Sequence, residues 1–243
     1  MAEERETRER ILILIPAFNE EEKIQAVVRD VRKEMPGVPV LVVNDGSGDQ
    51  TEARARASGA RVLTHPFNMG YGAALQTGYK YALRHGFDCV LQMDGDGQHD
   101  PRYLPALRRE VLEGGVDVAI GSRFLGEGDY RAGWARQLGI ALFRRVASTL
   151  CGQRITDPTS GYQALSRRAV EFCALDSFPG DYPDADVLVM MHRAGLRLGE
   201  VPVRMHPNAR GRSMHSGLKP LYYLYKMFLS IALNCIRRER PAR

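Results

Sequence analysis

Through its first half this chain alternates short apolar runs with helix-patterned segments, and that alternation leaves few folds open to it. Ile11–Ile15 is a continuous apolar run of strand length, followed by helical spacing with an acidic start over Glu20–Met35. Val38–Val43, Ala60–Thr64, Phe87–Met93 and Val116–Ile120 are further strand candidates. Helices are expected between them over Thr51–Ser58, over Tyr71–Arg84 and from Arg102 onward. Strands alternating with helices build βαβ units, which predict an α/β fold with a mostly parallel central sheet flanked by helices. The second half is less regular. Trp134–Leu150 and Ala185–Ala194 read as helices, and Gly161–Ser166 and Arg197–Val203 as strands. With 243 residues, no internal repeat and no low-complexity linker, one domain over residues 11–213 is expected. A charged arm (1–10) precedes it and a basic segment (214–243) follows.

Open α/β sheets bind ligands beyond the carboxyl ends of their strands. The strand candidate before Met93 runs into Asp94-Gly-Asp-Gly-Gln98. Side chains two apart on a strand point the same way, so Asp94 and Asp96 can converge. Two hard oxygen donors suit Mg²⁺ or Mn²⁺. A polar turn explains the same residues equally well at this point, because Asp and Gly are ordinary turn formers. The first strand exits through Pro16-Ala-Phe-Asn-Glu20, where Glu20 could accept from ribose hydroxyls, or Asn19 could simply cap the next helix. The second exits through Asn44-Asp-Gly-Ser-Gly-Asp49, whose small residues allow close backbone approach to a base or ribose. A G-x-G-x-x-G turn after the first strand and a Walker A lysine motif are both missing, which argues against dinucleotide and P-loop enzymes.

Charge is unevenly spread. From Arg197 the last 47 residues hold ten Lys/Arg against two Asp/Glu, whereas the preceding 196 hold 24 against 27. A basic end favours anionic partners, although a solvated basic face has the same composition. Four scattered cysteines without a CxxC read as reduced thiols in a cytosolic protein. The opening residues MAEERETRER show no apolar signal-peptide core. Leu218–Ile236 carries a polar stripe (Lys219, Tyr223, Lys226, Ser230, Asn234) at helical spacing. Its lysines and Pro220 oppose a spanning helix. An interfacial amphipathic helix and a helix packed on the domain fit the pattern equally well.

Taken in order, PAFNE, NDGSGDQT, NxGYGAAxxxG, DGDGQH, DPTSGY and RGRS resemble the family 2 glycosyltransferases of the GT-A (Rossmann-like) fold. Within that family the pattern is most similar to the polyprenyl-phosphate (dolichol-phosphate) sugar transferases. The resemblance implies that Pro16, Ala17, Asn19 and Glu20 line a nucleoside site, that Asp45 hydrogen-bonds the base, and that Gly46 and Ser47 shape that wall. Asn68, Gly70 and Gly72 match the segment before the helix under the nucleotide. Asp94 and Asp96 match the DXD metal motif, and Gln98 holds a position that can also reach the ion. Arg123 matches a basic position near the sugar or acceptor phosphate, with a surface arginine as the alternative. Asp157 and Thr159–Tyr162 match a segment on the acceptor side, where Asp157 could equally brace the loop. Arg210, Arg212 and Ser213 resemble a mobile basic loop that closes on the donor diphosphate, which suits arginine's planar fork. His206 and His215, on either side of it, read as loop histidines.

The implied reaction is a metal-dependent, inverting transfer of sugar from a UDP- or GDP-linked donor. A hydroxyl acceptor needs a general base, and Asp184 and Asp186 fall near the family's base position without its spacing. Both could instead serve the first turn of the helix beginning at Ala185. A lipid phosphate needs no base, since a phosphomonoester's second pKa is about 6. The tyrosine-rich basic C-terminal segment favours that acceptor, with the protein on the cytoplasmic side, docked on the inner face of the membrane or on a small membrane protein. Two other classes compete: a nucleotidyltransferase, whose lysine-bearing glycine-rich motif is absent, and a non-catalytic sugar-nucleotide binder. No nucleic-acid motif accompanies the basic tail.

Overall fold

The computed structural model describes residues 9–126, 134–180, 183 and 185–206, with residues 134–139 described as helix backbone. Among the described residues seven strands form one sheet: β1 (Ile11–Ala17), β2 (Val40–Asn44), β3 (Arg61–Thr64), β4 (Cys89–Gln92), β5 (Val118–Ser122), β6 (Gln163–Ser166) and β7 (Leu198–Pro202). Among the described residues seven α-helices accompany them: α1 (Ile24–Glu34), α2 (Thr51–Ala57), α3 (Tyr71–Arg84), α4 (Leu104–Leu112), α5 (Trp134–Cys151), α6 (Arg167–Cys173) and α7 (Ala185–Arg193). The strand order is β3-β2-β1-β4-β6-β5-β7, and four of the six pairings are parallel. The α/β architecture with a mostly parallel sheet is therefore as the alternation predicts.

The strands read as unbroken apolar runs because both faces of the sheet are covered. Alternation along β1 divides the core. Leu12 and Leu14 join Leu41 and Val43 under α3, α6 and α7, while Ile11, Ile13 and Ile15 join Val40 and Val42 under α1 and α4. Cys89, Cys151 and Cys173 are buried free thiols, and burial pushes the Cys89 thiol up to about 12, which makes it inert.

Three elements depart from the sequence reading. Helix α1 begins at Ile24 rather than Glu20. The backbone N–H groups of Glu20 and Glu21 are drawn sideways to Thr51 and Asp49, and Asn19 takes a positive φ of 55°, so the chain turns before it winds. Helix α6 was not foreseen. Its signal was Ser166, whose hydroxyl caps the helix by accepting from Ala169 N at 3.3 Å. Strand β6 runs antiparallel between β4 and β5, and nothing in its four residues encodes direction.

That insertion positions the site. The carboxyl ends of β1, β2 and β4 lie at one edge of the sheet, and the reversed β6 brings its amino end, the Gly161–Gln163 corner, to the same edge. Gln92 faces Gln163 in the register. β5 and β7 deliver Ser122–Arg123 and Val203–His206 there as well.

Candidate active site

The first two strand exits are sewn together by hydrogen bonds. Asn19 N donates to Ser47 Oγ at 2.9 Å, and Gly48 N to Asn19 Oδ1 at 3.0 Å. Glu20 N donates to Thr51 Oγ1 at 2.9 Å, and Glu21 N to Asp49 Oδ2 at 3.2 Å. Pro16 and Ala17, which lead into this seam, are buried, and Phe18 is exposed. Asn19, Ser47, Asp49 and Thr51 thus hold a two-loop platform, and Glu20 stands on it.

Asp45 is turned inward. His65 Nδ1 lies 2.7 Å from Oδ1, Met69 N donates to the same oxygen at 2.9 Å, and Gly70 N donates to Oδ2 at 2.9 Å. His65 is fixed in turn by Thr77 Oγ1 at 2.9 Å. The side chain expected to read a base therefore also ties down the loop that starts α3. Gly46 explains itself: its φ is +69°, and a Cβ there would lie 2.4 Å from the Phe67 carbonyl carbon. Asn68 is exposed on that loop, and Gly70 begins α3 with a φ of 102°. At Gly72 a Cβ would meet Pro179 O at 2.1 Å.

Glu20, Asp94 and Asp96 form an acidic cluster. Burial, reinforced by Asp96 and Asp94, pushes the Glu20 carboxyl up to about 7. Asp96 is also raised, first by burial and then by Asp94. Gln98 N donates to Asp96 Oδ1 at 2.9 Å. Tyr71 Oη donates to Asp94 Oδ1 at 2.8 Å. Asp94 N donates to Nδ1 of buried His99 at 3.0 Å, and the His99 ring stacks on Tyr162 at 4.7 Å between centroids. Gly95 lets the turn press against β1, since a Cβ there would lie 3.3 Å from Pro16 O.

Among the described residues no group of three His, Cys, Asp or Glu side chains forms a complete metal cage. The donor set fits a divalent cation all the same. Mg²⁺ and Mn²⁺ sites of this kind take one or two carboxylates and complete the shell with phosphate and water oxygens. Burial and the neighbouring carboxylates, which raise Glu20 and Asp96, both disfavour their charged forms, and a dication would favour them.

Arg123 is neither at the surface nor an isolated charge. It is 8% exposed, and its Nε and Nη2 reach the two oxygens of fully buried Asp157, each at 2.6 Å. Nη2 also donates to Thr159 Oγ1 at 2.9 Å. Glu200 on β7 accepts from Thr156 N and Asp157 N at 2.9 Å. Asp157 is thus a brace of the Thr156–Tyr162 loop. Asp186 is buried in the first turn of α7, with its Oδ1 2.9 Å from Val187 N. His206 N donates to Gln98 O at 2.8 Å, and Met205 bridges His99, so the chain leaving β7 is pinned to the acidic turn. Asp184, His215, the Arg210–Ser213 segment and the C-terminal segment lie outside the described residues.

The sequence reading missed Tyr71, Gln92, His65 and His99. His99 alone carried a signal, as the residue directly after Gln98 in the acidic turn.

A sheet that gathers an acidic pair and a two-loop platform at the carboxyl ends of its parallel strands is the GT-A architecture of nucleotide-sugar-dependent glycosyltransferases. The chain belongs to the family described as "Glycosyl transferase family 2", whose model matches residues 12–173. It is 33% identical over 219 residues to polyprenol monophosphomannose synthase of Mycolicibacterium smegmatis, covering 86% of this chain and 82% of that one. It is 32% identical over 221 residues to undecaprenyl-phosphate mannosyltransferase of Micrococcus luteus, covering 86% and 88%. Glucosyl-3-phosphoglycerate synthase of Mycobacterium tuberculosis, crystallised with Mn²⁺ and UDP-glucose, superposes with a TM-score of 0.70 at 26% identity, covering 96% of this chain and 81% of that one. The protein is a glycosyltransferase.

Proposed function

We propose that the protein moves a sugar from a UDP- or GDP-linked donor to a polyprenyl phosphate, with a divalent cation and inversion at the anomeric carbon. The carrying observation is the cluster of Glu20, Asp94 and Asp96 beside the two-loop platform, since it offers anionic oxygens where a nucleoside diphosphate would lie. The names of the two mannosyltransferase relatives support the acceptor. The cation, when bound, supplies charge stabilisation to the departing diphosphate. Asp94 and Asp96 would hold it, with Gln98 within reach. Pro16, Ala17, Asn19, Glu20, Gly46 and Ser47 would seat the nucleoside, and Arg210, Arg212 and Ser213 would close on the phosphates.

A phosphate acceptor is already anionic at neutral pH, so no side chain has to remove a proton. Asp186 then serves the first turn of α7, and Arg123 orders the acceptor loop through Asp157. Asp45 holds the loop before α3, and its remaining acceptor capacity would serve the base. Among the described residues no helix is long and apolar enough to cross a membrane, so we assign contact with the lipid to the basic segment 214–243.

The test is transfer from radiolabelled UDP- and GDP-hexoses to a short polyprenyl phosphate or to a saccharide alcohol, with Mn²⁺ and with EDTA. Metal-dependent label in the organic phase supports the reading. Label passing only to the saccharide would reassign the acceptor and return Asp184 and Asp186 to the role of base. Nucleotide-sugar binding without transfer to either acceptor would leave only a non-catalytic binder.

A further inference from the structure

We propose that Tyr71 is a positioning residue that aims the Asp94 carboxylate and so sets how tightly the acidic pair takes a divalent cation. The inference rests on reading Asp94 and Asp96 as the cation site.

The direction of each hydrogen bond around Tyr71 follows from one obligate acceptor. The Gly161 carbonyl can only accept, so the group of Gln92 facing it at 3.0 Å is the amide nitrogen Nε2. Gln92 Oε1 then faces the buried Tyr79 hydroxyl, which donates to it. The second hydrogen on Nε2 points to Tyr71 Oη at 3.4 Å, making that oxygen an acceptor on this side. The single Tyr71 hydroxyl proton is therefore directed to Asp94 Oδ1 at 2.8 Å. Gln92 is 3% exposed and Tyr79 2%, so the amide cannot turn over to water.

The other neighbour of Asp94 does different work. His99 Nδ1 accepts from Asp94 N, which leaves Nε2 as the protonated nitrogen of the neutral ring. That atom lies 3.7 Å from Asp94 Oδ2, beyond hydrogen-bond distance. His99 thus fixes the backbone, and among the described residues the Tyr71 hydroxyl is the donor that fixes the carboxylate. Gly161 closes the arrangement from above. A Cβ there would fall 2.8 Å from Tyr71 Oη and 3.5 Å from each Asp94 oxygen. Partners that orient a metal-binding group typically carry a 10- to 100-fold effect on metal affinity.

The experiment is a titration of Mn²⁺ into the full chain, read by the EPR signal of the unbound aquo ion, without nucleotide and again with UDP or GDP. Tyr71→Phe removes the hydroxyl, while Gly161→Ala displaces it and leaves it present. Each should weaken Mn²⁺ about 10-fold. Gly161→Ala also answers if Tyr71→Phe does not fold, because the nearest atom it meets is the tip of a side chain and not backbone. Mn²⁺ affinity equal to that of the parent in both variants overturns the proposal. Asp94→Ala is the control: if it binds Mn²⁺ like the parent, the cation-site reading itself fails, and the proposal with it.

Discussion

Arg123→Met should unfold far more easily than the parent, because it strips the counter-charge from the most buried carboxylate in the loop. The Asp157 side chain is 0% exposed and that of Arg123 is 8%. After the substitution Asp157 keeps the Arg123 backbone N–H at 3.0 Å and the Thr159 hydroxyl at 3.4 Å. Two neutral donors do not replace a bidentate guanidinium. Breaking a buried pair from one side costs about 3–5 kcal/mol, out of a total stability on the order of 5–15 kcal/mol. With a urea dependence of about 3 kcal/mol/M, the midpoint should fall by about 1–1.7 M. Asp157→Leu should cost a similar amount, since it strands the arginine instead. The double variant Arg123→Met/Asp157→Leu should lose less than the two singles together, by about 2–3 kcal/mol of coupling. It still orphans the Arg123 N–H, so it should not regain parental stability. Equilibrium unfolding in urea at neutral pH measures all three. Either single variant losing less than about 1 kcal/mol would refute the argument that this pair is desolvated and mutually dependent.

Glu20→Gln tests the acidic cluster by linkage. The folded carboxyl is raised to about 7 from an ordinary 4.5, so its favourable contribution is present in acid and is lost as pH rises through about 7. Halved for the side chain's partial exposure, the gain of the glutamine variant over the parent should grow by about 1–2 kcal/mol between about pH 5 and pH 8 in EDTA. Parallel stability curves for the two proteins would show that Glu20 is not raised. Gly46→Ala, which combines a positive φ with a backbone clash at Phe67, should cost at least about 2 kcal/mol in thermal or urea unfolding. A loss under about 0.5 kcal/mol would mean that the two loops are not held so close. Asp96→Ala should lower metal-dependent turnover on the order of 10²-fold or more while remaining folded; undiminished turnover with Mn²⁺ would remove Asp96 from the site.

The parts of this protein that local pattern reveals are those decided by neighbours in the chain. Helix α3 was read at its true bounds, Tyr71–Arg84, because Gly70 opens it and the apolar spacing runs unbroken. The acidic pair was legible as a place, two carboxylates just past an apolar run, although β4 ends at Gln92 and Asp94 and Asp96 sit on the turn beyond it, where strand alternation no longer says where they point. Glu20–Lys23 misled because their helical composition was overruled by a seam of hydrogen bonds to residues about thirty positions away. Asp45 has a second task that local pattern hides in the same way, since its partners at His65, Met69 and Gly70 are 20 to 25 residues distant. Gln92 and Tyr71 looked like an ordinary strand residue and an ordinary helix residue. The direction of their hydrogen bonds depends on the Gly161 carbonyl, which reaches Gln92 because β6 lies beside β4 in the register that sets Gln92 against Gln163. A carboxylate just past a strand says that a cation could sit there. Which donor aims it depends on which strand the sheet admits alongside, and the antiparallel entry of β6 is a long-range fact that no run of neighbouring residues carries.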